Sequence, residues 1–127
     1  MATEHIQAIV LCDVDGLISY WSPGAEQLFG YPATAAIGQS LNLIVPEALR
    51  ERHWAGFKHA VESGRASSSG AATNFPVKCQ DGQVRTFPAR FAFLTDAHGK
   101  PAGAIGIYND RQGDERPFGP VQPLSAG

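Results

Sequence analysis

Trp21-Ser22-Pro23-Gly24-Ala25-Glu26-Gln27-Leu28-Phe29-Gly30-Tyr31 holds a strand end, a capped helix and the stop of that helix in one short stretch. Ser22 offers a capping hydroxyl, and Pro23 suits the first helical position, where a missing N–H is no loss. Ala25 to Phe29 reads as a short helix. Gly30 is its stop, and Pro32 bars continuation. On the upstream side, Leu17-Ile18-Ser19-Tyr20-Trp21 alternates and is rich in β-formers, and Ile6 to Cys12 is a short apolar run. Between them stands the tight-turn sequence Asp13-Val14-Asp15-Gly16, so the two runs are expected to form a hairpin. Asp13 and Asp15 belong to that turn rather than to acid/base chemistry.

Downstream, a second short helical stretch, Ala33 to Ile37, ends at Gly38. Pro46 to Ser63 is the longest helix candidate, with Pro46 in its first turn and Gly64 at its end. Leu49, His53, Phe57 and Ala60 share one face, with Gly56 and Val61 at its margins. Arg50, Glu51, Lys58 and Glu62 lie elsewhere around the helix, so a histidine is carried along an apolar stripe. Gly64 to Gly70 is small, polar and flexible in character. Three strand candidates follow, Ala72 to Cys79, Val84 to Leu94 and Ala102 to Asn109, separated by Asp81-Gly82 and Asp96-Ala97-His98-Gly99. Phe87, Phe91 and Phe93 have one parity, so one face of the middle strand is aromatic. This order gives an α+β fold, an antiparallel sheet covered on one face by helices.

The 127 residues suit a single domain, expected over 6–110, with a loosely packed or disordered tail over 111–127 that lacks periodicity. Ten Lys+Arg against twelve Asp+Glu leave a net charge of -2, which argues against a general nucleic-acid binder. Cys12 and Cys79 form neither a disulfide framework nor a zinc spacing. Met1 to Gln7 carries Glu4 and His5 where a secretory leader would be basic and then apolar, and no apolar run is long enough to span a membrane. A cytoplasmic chain with reduced thiols is therefore expected. No GxSxG, Gly-Lys-Ser/Thr phosphate loop or HExxH word occurs, so no enzyme is expected. Trp21 and Trp54 read as packing anchors, with Trp21 at the sheet rim or in an interface.

Four words in this order resemble a PAS domain: Asp13 to Ile18, Trp21 to Tyr31, Ala36-Ile37-Gly38-Gln39-Ser40, and Asp81-Gly82-Gln83-Val84-Arg85-Thr86-Phe87-Pro88. The resemblance covers residues 6–110. It implies a five-stranded antiparallel sheet with the helices forming a ligand pocket over it. Such domains bind haem, flavin or small metabolites there, or bind nothing and mediate association. Neither cysteine lies in the helical word that a flavin photosensor would need.

The longer stretch from Ala36 to His53 is similar to the oxygen-sensing haem domains of the rhizobial FixL sensor kinases. That resemblance implies haem b, with His53 as the proximal iron ligand, and a pocket shared by Phe57, Phe91, Phe93, Ile105 and Ile107. His59 stands where those domains carry a propionate-binding arginine, although six residues from His53 it lies off that face centre and reads more simply as a solvated histidine at the helix margin. Their distal arginine falls near Thr73 here, and Arg65 is too early to serve. Phe91 and Phe93 replace smaller distal aliphatic residues. These departures weigh against stable oxygen binding and leave carbon monoxide, nitric oxide or redox state as the signal. The alternative is a haem-free interaction module, or a binder of an apolar metabolite, with His53 structural. The resemblance also implies a homodimer and output through a signalling protein such as a histidine kinase, with no nucleic acid and no membrane involved.

Overall fold

The computed structural model describes residues 6–63 and 73–110. Strands β1 (Gln7–Cys12) and β2 (Ile18–Trp21) are followed by helices α1 (Pro23–Phe29) and α2 (Ala33–Ala36). Two single 3-10 turns, Leu41–Leu43 and Glu47–Leu49, lead into the long helix α3 (Arg50–Ser63). Strands β3 (Thr73–Lys78), β4 (Val84–Thr95) and β5 (Pro101–Asn109) complete the chain. All pairings are antiparallel, in the spatial order β2-β1-β5-β4-β3. The first and last strands are thus neighbours, in register from Gln7 opposite Asn109 to Cys12 opposite Ala104. That pairing joins the N-terminal hairpin to the C-terminal meander, and the helices lie in the crossover between them.

Three aspartates build the turns. Asp13 Oδ1 accepts from the backbone N–H groups of Asp15 and Leu17, both at 2.9 Å. Asp96 Oδ1 does the same for His98 and Lys100, at 2.8 and 2.9 Å, and Asp81 Oδ1 for Gln83 at 3.0 Å. These side-chain turns satisfy amides that the strands cannot. Ser22 works similarly at the start of α1. Its Oγ accepts from Ala25 N–H at 3.1 Å as the cap and from Ile9 N–H at 2.8 Å. One buried hydroxyl therefore pins α1 to β1. Gly30 ends the helix at φ +94°, a left-handed conformation that side chains disfavour, and its N–H bonds Glu26 O.

The sheet's inner face carries Ala8, Val10 and Cys12 on β1, Phe87 and Ala89 on β4, and Tyr108 on β5, all buried. Phe29 of α1 is the centre of the core, with its ring 5.7 Å from Trp21, 5.3 Å from Phe87 and 5.0 Å from Tyr108 in edge-on contacts. Trp21 is buried and donates its indole N–H to Tyr31 O at 2.8 Å. It belongs to the core and not to the sheet rim, because the inward parity of Val10, its strand partner, governs it too.

The long helix is interrupted where continuity from Pro46 was expected. The first turn, Glu47–Leu49, is 3-10, closed by Leu49 N–H on Pro46 O at 2.8 Å. The α-helix begins at Arg50, whose guanidinium donates to Val45 O at 3.2 Å and Asn42 O at 3.1 Å. Those bonds satisfy carbonyls of the preceding chain and set the direction in which α3 leaves it. The expectations for the Gly64–Gly70 segment, for Arg65 and for the 111–127 tail lie outside the described residues. No helix among the described residues is long and apolar enough to cross a membrane.

Candidate functional site

A cavity of about 500 Å³ lies between α3 and the inner face of the sheet. Its helical wall is the stripe Leu49, Arg52, His53, Gly56, Phe57 and Ala60. Steps of three and four along a helix keep these residues on one side. The opposite wall comes from alternate positions of three strands: Val10 and Cys12 on β1, Phe91 and Phe93 on β4, and Ala104, Gly106 and Tyr108 on β5. Leu41, Ile44 and Val45 close one end from the segment before α3. The lining is mainly apolar with a few polar groups, and its volume is that of an ordinary small-molecule pocket.

His53 projects from α3 into this wall. Its ring lies 4.6 Å from Trp54, edge-on, and 6.0 Å from Phe57, stacked. Trp54 is held by its indole N–H on Asn42 Oδ1 at 2.7 Å, so the surface behind the imidazole is fixed. His53 Nδ1 is buried and has no hydrogen-bond partner among the described residues. Burial lowers the His53 pKa below its ordinary value. The imidazole is therefore neutral near pH 7 and carries one nitrogen lone pair. A buried nitrogen without a partner is costly, which is reason to look for what satisfies it.

Two further groups of the lining, Cys12 and Tyr108, are held neutral. Burial, reinforced by Asp13 and opposed by a bond from the Ala104 backbone, pushes the Cys12 thiol up to about 11. Burial likewise raises the Tyr108 hydroxyl, with a smaller contribution from Cys12. Neither is an anion at neutral pH. No group of three or more His, Cys, Asp or Glu among the described residues could hold a metal ion. A metal here would have His53 as its lone protein ligand, an arrangement that haem iron uses. A buried imidazole without an internal partner on an apolar wall is the type of donor that haem iron takes as an axial ligand.

Of the residues the sequence suggested, His53, Phe57, Phe91 and Phe93 line the cavity from α3 and the inner sheet face; Ile105 borders it, although it has the outward parity of Ile107, opposite Leu11 and Ala92. His59 is exposed and lies outside the lining, because six residues from His53 carry it to another side of the helix. Ile107 is also outside it. It pairs with Ile9 and Arg90 on the outer face of the sheet, while its neighbour Tyr108 points inward, as the two-residue period requires. Thr73 is the first residue of β3, opposite Ala89. Sequence reading missed Arg52, Cys12 and Tyr108. Extending the spacing of the apolar stripe by three from Leu49 reaches Arg52, but its charge set it apart from that stripe. The inward parity of β1 and β5 would have found the other two.

Comparison with known proteins agrees with this geometry. The family model described as the PAS fold matches residues 5–111. The oxygen sensor protein DosP of Escherichia coli is 27% identical over 79 residues, which is 62% of this chain and 10% of that protein. The sensor protein FixL of Bradyrhizobium diazoefficiens is 44% identical over 46 residues, 36% of this chain and 9% of that protein. The chain thus matches about a tenth of each curated relative's length. Among solved structures, the PAS domain of a protein from Colwellia psychrerythraea superposes with a TM-score of 0.71 and 26% identity, covering 84% of this chain and 87% of that one. The PAS domain of histidine kinase ThkA gives 0.57 and 26%, covering 82% and 98%. Light-oxygen-voltage domains also share the fold, one with a TM-score of 0.63 at 19% identity, covering 80% of this chain and 75% of that one.

Proposed function

The chain belongs to the PAS fold family, and from that premise we propose that it is a non-catalytic sensory domain whose cavity binds haem b through His53. The observation that carries this reading is the buried, partnerless Nδ1 of a neutral imidazole on the wall of an apolar cavity. When bound, haem would supply an iron site for a diatomic gas or for a one-electron change. Around it, Phe57 and Trp54 hold the His53 ring, and Phe91 and Phe93 face it from the sheet. Two curated relatives carry the names of an oxygen sensor and a sensor protein, which supports the same class of function.

In this reading, Phe93 packs against Phe57 with 5.6 Å between ring centroids, so a change in the cavity reaches both helix and sheet. Coupling of that kind needs two states that differ in ligand affinity. The outer sheet face carries Ile9, Leu11, Ile105 and Ile107, all half-buried, and Tyr20, which is exposed. We assign this face to a homodimer, through which the signal passes to a partner such as a histidine kinase in the cytoplasm.

A second reading has an apolar metabolite in place of haem. The observation that favours it is the aromatic cluster of Phe75, Phe91 and Tyr108, with centroids 4.9 and 5.6 Å apart, which makes the sheet wall bulky. Titration of hemin into the purified chain and into His53→Ala separates the two. The haem reading expects saturation at one hemin per chain with a sharp Soret band, and a displaced, weakened band in the variant. Identical titrations of both proteins would remove His53 from the role.

A further inference from the structure

We propose that the cavity selects an amphipathic anion, an apolar body bearing one acidic head, and that Arg52 is the residue that selects it. This inference deepens the binding role proposed above and rests on that reading of the cavity, though not on the identity of the occupant. Arg52 lies on the cavity stripe of α3 one residue before His53, and it is exposed, so it stands at the cavity mouth. It is the one permanently charged group of the lining, which contains no carboxylate and no lysine. The two arginines that begin α3 differ in what they hold. Arg50 is engaged by the carbonyls of Val45 and Asn42. Arg52 has no ion-pair partner among the described residues, where Arg85 pairs with Asp81. A guanidinium beside an apolar cavity, with no internal anion, matches a carboxylate or sulfonate on an occupant.

Gly56 is the second observation. It sits on the same stripe, one turn beyond Arg52, and a Cβ there would meet no atom within 4 Å. A glycine inside a helix is destabilising relative to alanine. Gly56 is exposed, so its bare backbone and the open space beside it lie on the open side of the cavity lining that it shares with Arg52, room for the body whose head Arg52 would hold. Two sources offer this chemistry, a haem with its propionates and a free metabolite with a carboxylate.

The test uses two probes with nearly the same body, 1-anilinonaphthalene-8-sulfonate and its uncharged analogue N-phenyl-1-naphthylamine, followed by fluorescence. The parent should bind the sulfonate about fivefold more tightly. Arg52→Gln should erase the gap by weakening the sulfonate alone, and Arg52→Lys should keep part of it. Gly56→Leu should weaken both probes. A gap that survives Arg52→Gln, equal affinities in the parent, no binding of either probe, or binding untouched by Gly56→Leu would each overturn the proposal. Hemin and hemin dimethyl ester form the second arm. A preference for the free acid that Arg52→Gln removes identifies haem as the source. If neither porphyrin binds while the sulfonate gap holds, the haem reading fails, selection by Arg52 stands and the source is a metabolite.

Discussion

At the scale of single residues, His53 carries the most chemistry in the molecule. Burial lowers its pKa from the ordinary value of 6.5, so the folded protein resists protonating it. The sign follows from linkage. The unfolded chain binds a proton at His53 before the folded chain does, so stability from this group is full above 6.5 and is lost as pH falls through 6.5 toward the lower folded value. The urea midpoint of the haem-free parent should therefore drop between about pH 7 and about pH 5, and His53→Leu should flatten that window. Parallel curves for the two proteins would mean that the imidazole is not buried in solution. Cys12 and Tyr108 do not enter this window, because both are pushed upward.

Among elements, the decisive joint is the meeting of β1, β2 and α1 at Ser22. Ser22→Ala removes one acceptor from two backbone donors, Ala25 N–H and Ile9 N–H, and both sit in or beside the core. Loss of a cap costs about 0.5–2 kcal/mol, and the stranded Ile9 amide adds to it. Equilibrium denaturation should show a loss of about 2 kcal/mol, while a loss near zero would mean water replaces the hydroxyl. This joint was legible in the sequence, because serine before proline has a local meaning that tertiary contacts rarely override. The three aspartate turns were legible for the same reason. The α3 stripe was legible only as far as its apolar members, since a cation facing a cavity breaks the hydrophobic pattern and Arg52 was passed over. Ile107 was misplaced for another reason: the large aliphatic residues of β5, Ile105 and Ile107, have the outward parity while the inward Ala104 and Gly106 are small, so its composition does not say which face is inner. That is decided by the pairing with β1, a contact between opposite ends of the chain.

For the molecule as a whole, the sheet has two apolar faces and the helices cover one of them. Arg90 and Tyr20 are exposed on the outer face alongside its aliphatic residues, so that face is mixed and suited to reversible association. For the proposed homodimer, Ile107→Glu should shift sedimentation from dimer to monomer and leave hemin uptake unchanged, since Ile107 lies outside the cavity lining. An unchanged sedimentation coefficient would move the proposed contact off the sheet, and a parent that sediments as a monomer would remove the homodimer altogether. The cavity itself is the central claim. Its most direct test is the absorption spectrum of the chain purified from cells supplied with a haem precursor, beside that of His53→Ala prepared identically. The account predicts a strong Soret band in the parent and its loss in a variant that still folds; a colourless parent that also takes up no added hemin would contradict it.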